Sequence, residues 1–421
     1  MAAVSQETSR YRPAAEEAVP RYRWVVIGAM ASGVSTSMAM LFFIGLLLPD
    51  ISRELGISPT QQGLVGSSAL LANLVLVMPI NAWTSRFRPR RMLTFALLVV
   101  AGSVFIQARA PVFSILILGR VVLALGTMFT QAPRVLLIQQ WSSRRRLGMS
   151  NGIVVGSVDM MFGVVSFLTP LIVVWSGDWR RALHVWGFLC LALTVVWFVL
   201  GRERNAEKEK SIEPVQEGTP LTSVLKYKEL WYASIGLFGV VVAEMAFTVF
   251  WPTYAEAELH LSATMVGVAM GVSALAAAPS SIGINAIAFF NRNRPLVLAT
   301  CGIAKFALIL LLLYTEPAGL VILLTTLKGL FSAFFAALMG MVFYLPNIKP
   351  REVAVGQAFL RIAISCGAAL GPLVVGFIQE ATGDLRRALL YTAFAPLALV
   401  LTSILLWKPS RYPDPKSSAK R

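Results

Sequence analysis

The chain has 421 residues, 57% hydrophobic and only 14% charged, with a mean hydropathy of +0.70. Soluble domains carry about 25% charged residues, so a large soluble core is excluded and a membrane-embedded chain is indicated. The formal charge of +16 is spread over short loops between apolar runs, which excludes one basic nucleic-acid-binding face.

Residues 1–23 read as a polar tail holding Arg10, Arg12, Arg21 and Arg23, without the apolar core and small-residue cleavage site of a secretory leader. A bilayer-spanning helix needs about 20 apolar residues. Twelve such runs follow: 24–48, 61–83, 92–109, 112–139, 150–174, 182–201, 231–254, 263–289, 296–314, 317–345, 354–378 and 388–407. Backbone groups in lipid must bond within their own segment, and no run alternates with period two, so these are predicted helices. Residues 202–229 hold charges, Pro214, Gly218 and Pro220, which suits a solvated linker. The linker separates a six-helix half at 24–201 from a second at 230–407, and 408–421 form a polar tail. The expected fold is therefore all-α and integral to the membrane, with twelve transmembrane helices in two six-helix bundles. Cys190, Cys301 and Cys366 lie inside apolar runs without paired spacing and read as packing residues.

Of the 37 Lys and Arg residues, 26 fall on one set of alternate loops and tails, 6 on the other, and 5 inside the runs. The positive-inside rule then predicts that both termini and the linker are cytoplasmic.

Gly177-Asp178-Trp179-Arg180-Arg181-Ala182-Leu183 returns 206 residues later as Gly383-Asp384-Leu385-Arg386-Arg387-Ala388-Leu389. Leu55, Ser58, Thr60 and Gly63 match Leu259, Ser262, Thr264 and Gly267 at spacing 204, and Arg120 and Gly148 match Lys328 and Gly356 at spacing 208. Copies separated by an even number of helices share an orientation, so two parallel bundles are expected, with a site between them near the midplane.

With these features the chain resembles a major facilitator superfamily transporter over residues 24–407. The superfamily's loop between helices 2 and 3 is matched by Asn81-Ala82-Trp83-Thr84-Ser85-Arg86-Phe87-Arg88-Pro89-Arg90-Arg91. Asn81 stands for the usual Gly and Ser85 for the usual Asp; Arg86, Arg90 and Arg91 keep the basic end. The resemblance implies a cytoplasmic gate at those five residues. It also implies that helices 1, 4, 7 and 10 line a cavity. The fourth-helix motif fits Arg120 and Gly126. The fifth-helix antiporter motif is absent.

An ionisable group at the bilayer centre costs at least about 2.5–3.5 kcal/mol, so each one is a functional candidate. The runs hold five cations, Arg120, Arg134, Lys305, Lys328 and Arg361, against two anions, Asp159 and Glu244. Surplus interior cations are best neutralised by an anionic solute, and the arginine fork suits a carboxylate or oxyanion. Arg120 and Lys328 occupy equivalent places and are expected to clamp the anion across the pseudo-twofold axis. Thr127, Gln131 and Arg134 continue the Arg120 face of helix 4. Arg361 and Trp251 are further candidate contacts. Lys305 is expected at the periphery. Asp159 and Glu244 are candidates for charge pairing or proton coupling, with Asp159 expected to neutralise Arg120 or Arg134. The Arg180 and Arg386 turns are expected to pair with Asp178 and Asp384. His184 and His260 lack metal-ligand spacing, and neither metal nor cofactor is expected.

The predicted activity is secondary transport of a small anion, a carboxylate or an inorganic oxyanion, by alternating access, with proton coupling or anion exchange. The expected partners are the solute, the bilayer of a bacterial inner membrane and protons, with a monomeric chain and no nucleic acid. The alternative is a proton-coupled exporter of drugs or cationic metabolites that uses the acids as its site. A non-transporting sensor would want a signalling domain, and an enzyme would want a triad, metal cluster or phosphate loop. The sequence offers neither.

Overall fold

The computed structural model describes residues 21–84, 86–142, 147–204, 224–286, 293–342, 345, 348 and 350–406. Its helices are α1 (Arg23–Phe42), α2 (Leu48–Leu55), α3 (Pro59–Thr84), α4 (Pro89–Ala108), α5 (Phe113–Trp141), α6 (Leu147–Ser176), α7 (Trp179–Leu200), α8 (Lys228–Ala257), α9 (Ala263–Ala286), α10 (Arg294–Leu312), α11 (Ala318–Leu330), α12 (Phe334–Met341), α13 (Pro350–Thr382), α14 (Leu385–Ala393) and α15 (Ala398–Leu406). They make twelve spans. Spans 1 to 9 are α1 and α3 to α10, span 10 joins α11 and α12, span 11 is α13, and span 12 joins α14 and α15. Eleven of the described helical runs are long and apolar enough to cross a membrane. Large apolar side chains stand exposed on the outside, such as Val75, Val174, Phe188, Phe377 and Ile404, and Trp175 is 86% exposed. A surface of that kind suits hydrocarbon rather than water.

Three spans are less regular than the apolar runs predict. Span 1 stops as an α-helix at Phe42, tightens to a 3₁₀ turn over Phe43–Leu46, and restarts as α2. At that turn Gly45 lies against the backbone of Thr248 and Val249 in α8, where a Cβ would meet the Thr248 carbonyl. Span 10 tightens at Phe331–Ala333, three residues after Lys328. Span 12 does so at Ala395–Leu397, where Pro396 supplies no N–H.

The repeated heptad is a helix–turn–helix device. Gly177 and Gly383 both take φ +69°, the left-handed conformation that ends the preceding helix. Asp178 then accepts from the Arg180 N–H, and Asp384 from the Arg387 N–H, each capping the next helix.

The two halves meet along α3 against α13 and α6 against α9. Their described hydrogen bonds and close backbone approaches lie toward the heptad side. Ser58 Oγ and Thr60 N donate to Glu380 Oε2 at 3.1 and 2.9 Å. A Cβ on Gly63 would lie 2.6 Å from the Pro372 carbonyl, and one on Gly267 would lie 2.6 Å from the Ser166 carbonyl. The heptad side is therefore the closed side. The terminal tails, the loop at 143–146 and linker residues 205–223 lie outside the described residues.

Candidate functional site

Arg120 sits on α5 with no exposed surface. Its Nη1 and Nη2 donate to the carbonyls of Met40 and Leu41 at 3.1 and 2.7 Å, and its Nε donates to the Val65 carbonyl at 3.1 Å. These carbonyls belong to α1 and α3, so Arg120 ties spans 1, 2 and 4 together.

The second half meets its cation with a carboxylate. Lys328 Nζ lies 2.7 Å from Glu244 Oε2, and Lys305 Nζ lies 2.5 Å from Glu244 Oε1. Lys305 also donates to Ser332 Oγ at 2.9 Å, in the 3₁₀ turn that interrupts span 10. Lys328 lies over the Phe247 ring at 4.7 Å, and Phe247 stacks on Trp251 with centroids 5.0 Å apart. Lys305 and Lys328 are 1% and 6% exposed, whereas Glu244 keeps 18%. Two buried ammonium groups on one carboxylate leave one net positive charge inside the bundle.

The facing clamp of Arg120 and Lys328 is therefore not what the structure builds. Arg120 spends its donors on backbone, and Lys328 spends its charge on Glu244. Thr127 is fully buried and donates to the Ala124 carbonyl. Trp251 is fully buried with its Nε1 3.5 Å from the Leu312 carbonyl. Both are packing residues rather than cavity walls. Lys305 is not peripheral; α10 delivers it to the centre of the second half. Asp159 forms no ion pair or hydrogen bond among the described residues, so it neutralises neither Arg120 nor Arg134.

The remaining cations come from opposite halves. Arg134 lies seven residues from the end of α5, about 10 Å along the helix. It is half-buried, and its Nε has no hydrogen-bond partner among the described residues. Arg361 on α13 is exposed, and its charge reaches Arg134. Neither has a carboxylate partner among the described residues. Gln131 stands one turn from Arg134 and points an amide at the Thr127 carbonyl, 3.5 Å away.

Of the basic gate motif, Arg90 bonds within its own half. Its Nη2 donates to the Phe198 carbonyl, and its backbone N–H donates to Glu203 Oε1. It anchors α4 to the end of α7, and its bonds among the described residues stay within its own half. Arg86 and Arg91 are exposed. Ser85 and the Asn81 side chain lie outside the described residues.

The heptad arginines Arg180 and Arg386 find partners outside their own turns. Arg180 Nη2 lies 2.8 Å from Glu54 Oε1, and Trp179 Nε1 donates to Glu54 Oε2 at 2.5 Å. The Arg180 hydrogen bond, with Trp179 assisting, holds the Glu54 carboxyl below the usual carboxylate range. Arg386 donates to Tyr254 Oη at 2.7 Å and lies 3.8 Å from Glu258. Glu54 and Glu258 are 204 residues apart, the repeat spacing itself, and that was the available signal. Asp178 serves only as a cap, while Asp384 also pairs with Arg387 at 3.0 Å. An open hollow of about 480 Å³ lies beside Glu54, Arg180 and Asp178, at the rim and away from the interior charges.

Two six-span bundles, closed on one side through glycines and holding charged side chains between them, define a membrane transporter of the alternating-access kind. The chain belongs to the Major Facilitator Superfamily, whose family model matches residues 26–348. It is 24% identical over 372 residues to a probable nitrate transporter, NarT, of Staphylococcus epidermidis, covering 87% of this chain and 92% of that one. It is 23% identical to the hexuronate transporter of Bacillus subtilis (85% and 89% covered) and 24% identical to the nitrite extrusion protein of the same organism (86% and 89%). The fold is similar to a bacterial homologue of the human lysosomal transporter Spinster in an inward-facing, occupied conformation. There the TM-score is 0.77 at 14% identity, covering 94% of this chain and 99% of that one. The nucleoside transporter NupG is similar at TM-score 0.72 and 16% identity, with 92% and 100% covered.

Proposed function

We propose that the chain carries a small anion, an inorganic oxyanion such as nitrate or nitrite or a sugar carboxylate, and holds it between Arg134 and Arg361. The observation that carries this is that Arg134 and Arg361, from opposite halves, lie near enough for one charge to act on the other, with no carboxylate partner for either among the described residues. Two neighbouring cations repel one another, and an anion bound between them removes that repulsion. A guanidinium on each side offers paired donors to planar oxygens. Gln131 lies beside the same space. Glu244 is already taken by two lysines, so it is not free to receive a cationic drug. The relatives named for nitrate, nitrite and hexuronate support the anion reading over the drug-exporter alternative.

In this reading the linker side faces the cytoplasm, both termini are cytoplasmic, and the membrane is a bacterial inner membrane. The basic loops, at 26 against 6, support that orientation. The conformation with its heptad side closed is then inward-facing. The chain works as a monomer, with its site between its own halves at 24–201 and 230–407.

The test is counterflow of labelled nitrate, nitrite and glucuronate into proteoliposomes. Arg134→Gln and Arg361→Gln should each lower uptake at least tenfold, since a hydrogen bond to a charged group contributes about 1.5–3 kcal/mol. Uptake that survives both substitutions would sink the proposal.

A further inference from the structure

We infer that Asp159 carries a proton along with the transported anion, while Glu244 stays charged throughout. The inference rests on the anion reading above and adds its coupling.

Asp159 lies midway along α6, half-buried, with no ion pair or hydrogen bond among the described residues. Gly163, one turn further on, packs against α9, its Cβ position 3.2 Å from the Gly271 carbonyl. Asp159 therefore shares the α6 face turned to α9, just on the linker side of the crossing where the halves touch.

The neighbours of α6 supply little counter-charge. Span 1 has no ionisable residue between Trp24 and Pro49, and its nearest polar contact with α6 is Ser35 to Ser157 at 2.6 Å. Helix α9 has none over 263–286, and neither does the Phe43–Leu46 turn. Helix α7 brings Arg180, Arg181 and His184 only at its heptad-side start. Helix α5 brings Arg120, whose donors are taken by carbonyls, and Arg134, which lies within reach of the Arg361 charge. An uncompensated carboxylate at such depth is costly, and taking up a proton removes the cost.

Glu244 is the opposite case. Ammonium groups at 2.5 and 2.7 Å hold both its oxygens, so a proton there would break an ion pair twice over. Asp159 also sits at the seam that must open on one side and close on the other. It takes one proton from water on one side as a carboxylate and releases the same proton on the other side. For a monovalent anion, one proton makes the cycle electroneutral.

Proteoliposomes of the full chain with a pH-sensitive dye inside test this, using nitrate, nitrite and glucuronate as probes. The wild type should acidify the lumen when an anion gradient is directed inward. Folded Asp159→Asn should retain anion-for-anion counterflow within about threefold, equivalent to about 0.65 kcal/mol, and lose the acidification. Asp159→Glu should keep the coupling and move the pH of half-maximal uptake. Acidification by Asp159→Asn, loss of its counterflow while folded, or an unmoved pH profile in Asp159→Glu would each overturn the assignment. Wild-type counterflow without acidification would overturn the coupling and leave the anion reading standing. No wild-type movement of any probe would instead defeat that reading.

Discussion

Arg120 and Lys328 are 208 residues apart in a chain built twice, and both reach toward the first helix of their own half. Arg120 ends on the Met40 carbonyl, and Lys328 ends on the Glu244 carboxylate. Met40 and Glu244 are themselves 204 residues apart. The same place in each half thus holds a cation, but the first half satisfies it with backbone dipoles and the second with a formal charge. Backbone carbonyls cannot be titrated or displaced, so Arg120 reads as a fixed tie among spans. A carboxylate shared by two lysines is a net charged cluster, still partly open at Glu244, and it is the more sensitive of the two.

That contrast predicts very different costs at the paired positions. Glu244→Gln leaves two buried ammonium groups without their counter-charge and should cost about 3–5 kcal/mol, enough to lower the yield of folded protein. Met40→Leu changes a side chain while leaving the carbonyl that Arg120 uses, and should cost under about 1.5 kcal/mol. Thermal melting of both variants in detergent gives the comparison. Equal destabilisation at the two positions would mean that the halves are not built in these two ways.

A second contrast lies between this asymmetric interior and the symmetric seam. Gly63 and Gly267, one from each half, both let a helix lie against a carbonyl of the other half at 2.6 Å from the Cβ position. Gly63→Val and Gly267→Val should each hinder closure of the heptad side by about 1–3 kcal/mol, the usual cost of overpacking. Cysteines placed near Ser58 should then label faster with an impermeant reagent in both variants. A change in only one would show that the seam is as asymmetric as the interior.

The twelve spans and the repeat were legible because both are written in local apolar length and in recurring residues such as Gly177 and Gly383. The interruptions were not, since Phe42–Leu46 reads as apolar as any span and breaks where α8 presses on Gly45. The interior ionisable residues could be identified from sequence, but their pairing could not. Lys305 and Glu244 are 61 residues apart on helices whose rotation no periodicity fixes. The surroundings of Arg120 are illegible for the same reason: in sequence a midplane arginine looks alike whether it faces carbonyls or a cavity. Arg134 and Arg361 stood out only as surplus charge, and which of five cations would remain unpaired depended on how the helices pack.

The smallest predicted effect concerns the heptad arginines. Arg180 meets Glu54 at 2.8 Å with Trp179 bonding the same carboxylate, whereas Arg386 stands 3.8 Å from Glu258 and gives its Nε to Tyr254. The first pair lowers the Glu54 pKa below its ordinary 4.5. A depressed carboxyl pKa stabilises the fold above the ordinary value, and that contribution fades as pH falls through the depressed one. Glu54 is 47% exposed, so water screens the pair and its worth should stay under about 1 kcal/mol. Glu54→Gln should therefore melt slightly below the wild type at neutral pH and match it in acid below the Glu54 pKa. Glu258→Gln, at the longer contact, should shift melting less at neutral pH. If Glu258→Gln proved the more costly of the two, the ion pair would have to be stronger in the second half, and distance would not be what separates them.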